Sequence, residues 1–205
     1  QGPVATKLGS FKDYQASEAE TWELMALTRG RSIAGDDTLA ADVRDVIATA
    51  IRRERDEAVL RRDVREMRDL IAREKGDGDL WDLKLVAGGL IDLEFIAQYL
   101  ALRHARSAPE ILDVSVPAVL KNAGKFDFIS PDQSATLCAA HELYTGVMQM
   151  LRLTIGETFD PAKAAPGVLR RIAFAARAPD FRAVESELAE QRLQVRGIFN
   201  HFLGA

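Results

Sequence analysis

A chain of 205 residues, 47% apolar and 28% charged, is long enough to bury one sizeable core and has no compositional mark of disorder. Its net charge of −4 and pI near 5.5 argue against a general nucleic-acid binder, although arginine outnumbers lysine 20 to 7. No apolar run approaches the roughly 18 residues of a membrane span, and no signal peptide opens the chain, so a cytoplasmic location is expected.

The chain opens on Gln1-Gly2-Pro3-Val4, without an initiator methionine, and this reads as the tail of a loop that something else precedes. Ser10 with Asp13 three residues on predicts a helix over 10–34, closed by Gly35-Asp36. Within it Trp22, Ala26, Arg29 and Ile33 recur at 4, 3 and 4 residue steps, and Arg31 follows Leu24 and Leu27. Arg29 and Arg31 then either grip a phosphate or carboxylate in a fixed fork or snorkel over the core, and the spacing does not choose between the two. Further helices are predicted over 38–54 and 56–75, the latter with Leu60, Val64, Met67 and Ile71 on one face. Its Glu57/Arg61 and Arg65/Asp69 pairs have i,i+4 spacing and read as a solvated face.

Gly76-Asp77-Gly78-Asp79 is the clearest break, and Leu80-Trp81-Asp82-Leu83-Lys84-Leu85 after it reads as an extended segment. Gly88-Gly89 then gates a helix whose apolar residues fall at 90, 91, 93, 95, 96, 97, 99, 100, 101 and 102, leaving no exposed stripe. Asp92 and Glu94 sit inside it, and a buried carboxylate needs a cation or several donors. On a helix residues i and i+2 point about 200° apart, so the two cannot chelate one ion together. Asp92 is expected to cap or charge the helix start and Glu94 to fix an arginine, with Arg29, Arg31 and Arg68 the candidates and Arg68 preferred. Lys84 is placed to reach an anion at that same helix start. Gly88 and Gly89 read equally as a hinge with close backbone contact and as a weak phosphate-binding signal.

Helices are predicted over 114–123, from the Ser130-Pro131-Asp132-Gln133 cap to about 156, and over 168–176 and 180–203. About seven helices and no β-branched alternation give an all-α helical bundle, with residues 1–75 and 76–205 forming one continuous domain. The only cysteine, Cys138 within Ala135-Thr136-Leu137-Cys138-Ala139-Ala140, reads as a small core side chain in preference to a reactive thiol. His104, His141 and His201 lack ligand partners at metal spacing, and no serine nucleophile motif is present, so neither a catalytic group nor a metal ligand is assigned.

Four ordered blocks carry a family resemblance. They are Trp22-Glu23-x-x-Ala26-Leu27-Thr28-Arg29-x-Arg31 with Gly35-Asp36, Glu66-Met67-Arg68, Asp82-Leu83-Lys84 running through Gly88-Gly89-Leu90-Ile91-Asp92-Leu93-Glu94-Phe95 to Leu100, and Val195-Arg196-Gly197-Ile198-Phe199-Asn200. Together they resemble the bifunctional glutamine synthetase adenylyltransferases, which have two tandem nucleotidyltransferase halves, one removing AMP from glutamine synthetase and one adding it. Aspartate at position 92 resembles the adding, C-terminal half. The resemblance implies that the carboxylates holding magnesium lie on strands before residue 1, and that this chain is the helical domain packed against that missing core through residues 1–75. It implies magnesium and ATP as cofactors of the full enzyme, neither held tightly by this chain alone. It also implies glutamine synthetase and the PII signal protein as partners, and a nucleotide cleft lined by Arg29, Arg31, Lys84 or Asp92. The alternative implied by the same resemblance is a non-catalytic module that docks glutamine synthetase or PII.

Overall fold

A computed structural model describes residues 5–76, 78–154 and 159–204, and Gln1 to Val4, Asp77 and Gly156, used above, lie outside the described residues. Among those described there are nine α-helices, one 3-10 turn and no strand, so the architecture is all-helical. The eight helical ranges read from the sequence become nine because the predicted helix over 10–34 is two short ones, α1 (Leu8–Ser17) and α2 (Thr21–Leu27). Ser10 lies inside α1 and caps nothing. The break has a local cause, since the Glu20 carboxylate and the Glu23 carboxylate cap each other's backbone N–H groups and start α2 afresh. Residues 28–36 are not helical, so the face expected to join Trp22, Arg29 and Ile33 does not form.

Asp36 accepts from the N–H groups of Thr38 at 2.9 Å and Leu39 at 3.1 Å and thereby starts α3 (Asp37–Ile51). That helix stops short of the expected residue 54. Arg55 folds back to donate to the carbonyls of Ala50, Ile51 and Arg53, and its burial lowers the guanidinium pKa to about 10. Asp56 caps α4 (Glu57–Lys75), which buries Leu60, Val64 and Arg68 along one stripe. The Glu57/Arg61 pair forms at 2.8 Å on its outer face, whereas Arg62 reaches Asp63 and Glu66.

The segment 80–85, expected to be extended, is a string of turns. Asp79 accepts from the Trp81 and Asp82 N–H groups, and the Asp82 carbonyl accepts from Leu85 and Val86, so carboxylate-seeded turns use up the donors a strand would need. Trp81 leaves these turns to stack on Phe181 at 5.1 Å and meet Phe159 edge-on at 4.8 Å.

At the centre lies α5 (Leu90–His104), whose residues from Leu90 to Leu102 are all buried except Glu94. Around it pack α2, α4, α6 (Val116–Lys125), α7 (Pro131–Thr154) and α9 (Phe181–Leu203), with the 3-10 turn Pro109–Ile111 against its end. The short α8 (Pro166–Ala175) lies on α7 and α9. Ser130 and Gln133 form the expected reciprocal cap of α7, and Asp180 caps α9. One continuous core runs from Leu24 to Leu203, and α4 joins it through Leu60 and Val64. Cys138 is half-buried with its thiol 3.7 Å from the Pro117 carbonyl, and burial pushes that thiol up.

Candidate functional site

The glycine turn and the first two turns of α5 form the most constrained polar region of the molecule. Gly88 has φ +80°, and a Cβ there would lie 2.0 Å from the Arg192 carbonyl oxygen on α9. At Gly89 a Cβ would lie 2.6 Å from the Leu83 oxygen. Both positions therefore hold two backbones closer together than a side chain permits.

Asp92 is wholly withdrawn from solvent at 0% exposure, and both of its oxygens are occupied. Arg68 Nε donates to Oδ1 at 2.5 Å, while the Gly88 N–H at 2.8 Å and Arg196 Nη1 at 3.0 Å donate to Oδ2. Arg68 also donates from Nη2 to the Leu85 carbonyl, and Arg192 Nε to that of Ala87. One carboxylate thus binds α4, the glycine turn and α9 to α5, and its place in the first turn of α5 adds a favourable dipole term.

This arrangement corrects the expected pairing of Glu94 with Arg68. Arg68 continues the buried Leu60 and Val64 stripe and can only meet the inward carboxylate, which is Asp92. Glu94 points out instead and pairs with Arg29 at 3.0 Å, both side chains being partly exposed. Half-buried His141 of α7 adjoins this pair; burial lowers its pKa, the Glu94 charge opposes that shift, and the Arg29 charge adds to it.

The start of α5 is closed to an anion. Its first N–H groups, those of Leu90 and Ile91, donate to the carbonyls of Leu83 and Lys84, and the Gly89 N–H donates to Val86. Lys84 reaches the helix through its backbone alone and leaves its ammonium exposed, as Arg31 leaves its guanidinium. Ile91 and Glu94 are three residues apart on one side of α5, so the Lys84 backbone and the Arg29 side chain bracket the same stretch of helix. Arg196 and Arg192, which complete the buried network, were missed by sequence reasoning, although Arg192 continues the Val184 and Leu188 stripe by one further turn.

A magnesium ion does not fit these residues. Asp92 has spent its oxygens on guanidinium groups, Glu94 is held by Arg29, and among the described residues no group of three His, Cys, Asp or Glu is placed to hold a metal. No helix among the described residues is long and apolar enough to cross a membrane.

Residues 1–46 match the family profile described as glutamate-ammonia ligase adenylyltransferase. Along nearly the whole chain, similarity extends to proteins named bifunctional glutamine synthetase adenylyltransferase/adenylyl-removing enzyme. The one from Bradyrhizobium sp. strain BTAi1 is 46% identical over 202 residues, covering 98% of this chain and 20% of its own length. Those from Xanthobacter autotrophicus and Rhodopseudomonas palustris strain BisB5 are 45% and 42% identical, again with 20% of their length covered. The chain therefore spans about a fifth of the length of the curated relatives it matches.

Proposed function

Because this chain belongs to the glutamine synthetase adenylyltransferase family along 98% of its length, we propose that it is the helical module of the adenylyl-adding half of such an enzyme. That half moves AMP from ATP to a tyrosine of glutamine synthetase and so regulates nitrogen assimilation. The module braces the nucleotide cleft and presents the protein substrate. It works in the cytoplasm beside a nucleotidyltransferase core that supplies the magnesium-holding carboxylates.

The observation that supports this reading best is the division of charge at the glycine turn. Asp92 is neutralised inside by Arg68 and Arg196, while Lys84, on the segment that leads into the turn, and Arg31 stay exposed. Outward guanidinium and ammonium groups stabilise the phosphates of a nucleotide through charge-assisted hydrogen bonds, and a rigid seat keeps those groups in register with the reacting phosphorus. Within the module the residues bind and orient, and the chemistry belongs to the core.

Charge reversal of Arg31 and Lys84 together in the full-length enzyme tests the proposal. The Michaelis constant for ATP should rise about tenfold or more, the loss of roughly 1.4 kcal/mol of binding, with the fold intact by circular dichroism. Unchanged kinetics would remove both residues from the cleft. The 205-residue chain alone, given labelled ATP, magnesium and unmodified glutamine synthetase, should leave glutamine synthetase unlabelled. Transfer above a no-protein control, lost on changing Asp92 or Glu94, would overturn the module reading. Burial of Asp92 also supports a second reading, a purely structural module that docks glutamine synthetase or PII, and unchanged kinetics with lost binding of either protein would favour it.

A further inference from the structure

An open cleft between α1 and α3 shares no lining residue with the Asp92 network. It holds about 980 Å³, near the upper end of the roughly 300–1,000 Å³ of small-molecule pockets. Leu8 of α1 with Val46 and Ala50 of α3 give it an apolar surface. Gln15 lines it too, at 7% exposure, and its Oε1 has no donor among the described residues. A buried amide oxygen without a donor is a standing cost to the fold, and an N–H brought into the cleft removes it.

Charge divides along α3. Asp42 and Asp45, one turn apart on the same side of the helix, line the cleft, and neither has a cation partner among the described residues, although Lys12 stands on the α1 side. Arg52 and Arg53 line it two turns further on. Arg53 is held in place, since its Nη1 donates to the Ala16 carbonyl at 2.6 Å, and the rest of its five N–H donors remain for an anion. Arg52 has no anionic partner among the described residues, whereas Arg106 and Glu54, also at the cleft, pair with each other and cancel. Asp45 and Arg52 are seven residues apart, about 10 Å at the helical rise.

We propose that this cleft binds an extended oligopeptide of about three residues, its ammonium end at Asp42 and Asp45, its carboxylate end at Arg52 and Arg53, and a backbone N–H donating to Gln15 Oε1. Three extended residues span about 10 Å, which matches the separation of the acidic and basic ends. A single amino acid carries both charges within one residue, about 3.5 Å, and reaches only one end. Polyamines lack the carboxylate that the arginines call for, and dicarboxylates lack the ammonium. Val46 and Ala50 lie between the two ends and receive small apolar side chains. The proposal uses no residue assigned to the nucleotide cleft, so it stands apart from the proposed function.

Equilibrium dialysis of the 205-residue chain against labelled tri-alanine tests this. One peptide should bind per chain, and acetylating its amine or amidating its carboxylate should each weaken binding at least about tenfold. In the Asp42→Asn, Asp45→Asn double variant, acetylation should no longer matter while amidation still does. Gln15→Leu should weaken the free peptide at least about tenfold and leave both capping effects in place, with the fold checked by circular dichroism. Should that buried substitution unfold the chain, the aspartate variant still decides, because both of its side chains are exposed. No saturable binding at millimolar tri-alanine would overturn the proposal, as would free alanine or a doubly capped peptide binding as tightly as the free peptide. An acetylation effect that survives the double variant would overturn it too. None of these readouts depends on ATP or on AMP transfer, so the failure of the proposed function and the failure of this site are distinguishable.

Discussion

Arg68 Nε lies 2.5 Å from Asp92 Oδ1, and both side chains are withdrawn from solvent. Such a pair is costly to assemble and costly to break, because removing one partner strands the other as a buried charge. Arg68→Met and Asp92→Leu should each destabilise the chain by about 3–5 kcal/mol in urea unfolding. Glu94→Gln should cost only about 0.2–1 kcal/mol, since its Arg29 partner is half exposed. Equal losses for Asp92 and Glu94 variants would show that burial is not what separates the two pairs.

Two glycines should respond to alanine with opposite signs. Gly88→Ala meets a positive φ and the Arg192 backbone together and should cost at least about 2 kcal/mol. Gly197 lies inside α9 with open space where a Cβ would stand, so Gly197→Ala should stabilise by about 0.5–1 kcal/mol. The comparison needs only the denaturation midpoints of two single variants, and a stable Gly88→Ala protein would refute the close-approach geometry.

His104 stacks flat on Phe128 at 3.8 Å between ring centroids, and burial lowers its pKa to about 4. With the folded value below the unfolded one near 6.5, the unfolded chain binds the proton first as pH falls. Stability contributed by the neutral ring is therefore complete above about pH 6.5 and drains away towards pH 4. For a half-buried ring the loss should be on the order of 1 kcal/mol after screening. His104→Phe should flatten that part of the stability profile, and a wild-type slope retained in the variant would assign it to other groups.

The reciprocal cap at the start of α7 offers a milder perturbation. Ser130→Ala removes the acceptor of the Gln133 N–H and should cost about 1 kcal/mol, measurable as a few degrees in thermal midpoint. No change would mean that water serves that N–H as well as the hydroxyl does.

Much of the bundle was legible because its helices obey strong local rules. The Leu60, Val64, Met67 and Ile71 spacing marks α4, and the Ser130-Pro131-Asp132-Gln133 cap marks α7. The split at Glu20 was not legible, because a glutamate pair rarely caps a helix and neither glycine nor proline signals the break. Glu94 was rightly expected to hold an arginine, but its partner was taken to be Arg68. Arg68 lies 24 residues from Asp92 and Arg196 lies 104, separations at which spacing carries no information. The readable clue was Arg68 itself, a guanidinium one turn beyond Leu60 and Val64 on the core-facing stripe. An arginine there demands an inward acid, but Asp92 and Glu94 share the same apolar helix, so the clue pointed to the helix without choosing between the two.

That single carboxylate also sets an order of events during synthesis. Arg68, the glycine turn and Asp92 leave the ribosome within a short interval, whereas Arg196 follows about a hundred residues later. Until α9 arrives, the second oxygen of Asp92 has only the Gly88 N–H, and the Gly88 turn has no opposing backbone to fit. The central helix can therefore collapse early but lock only late, a long-range closure of the kind that slows folding and leaves the nascent bundle open to chaperones.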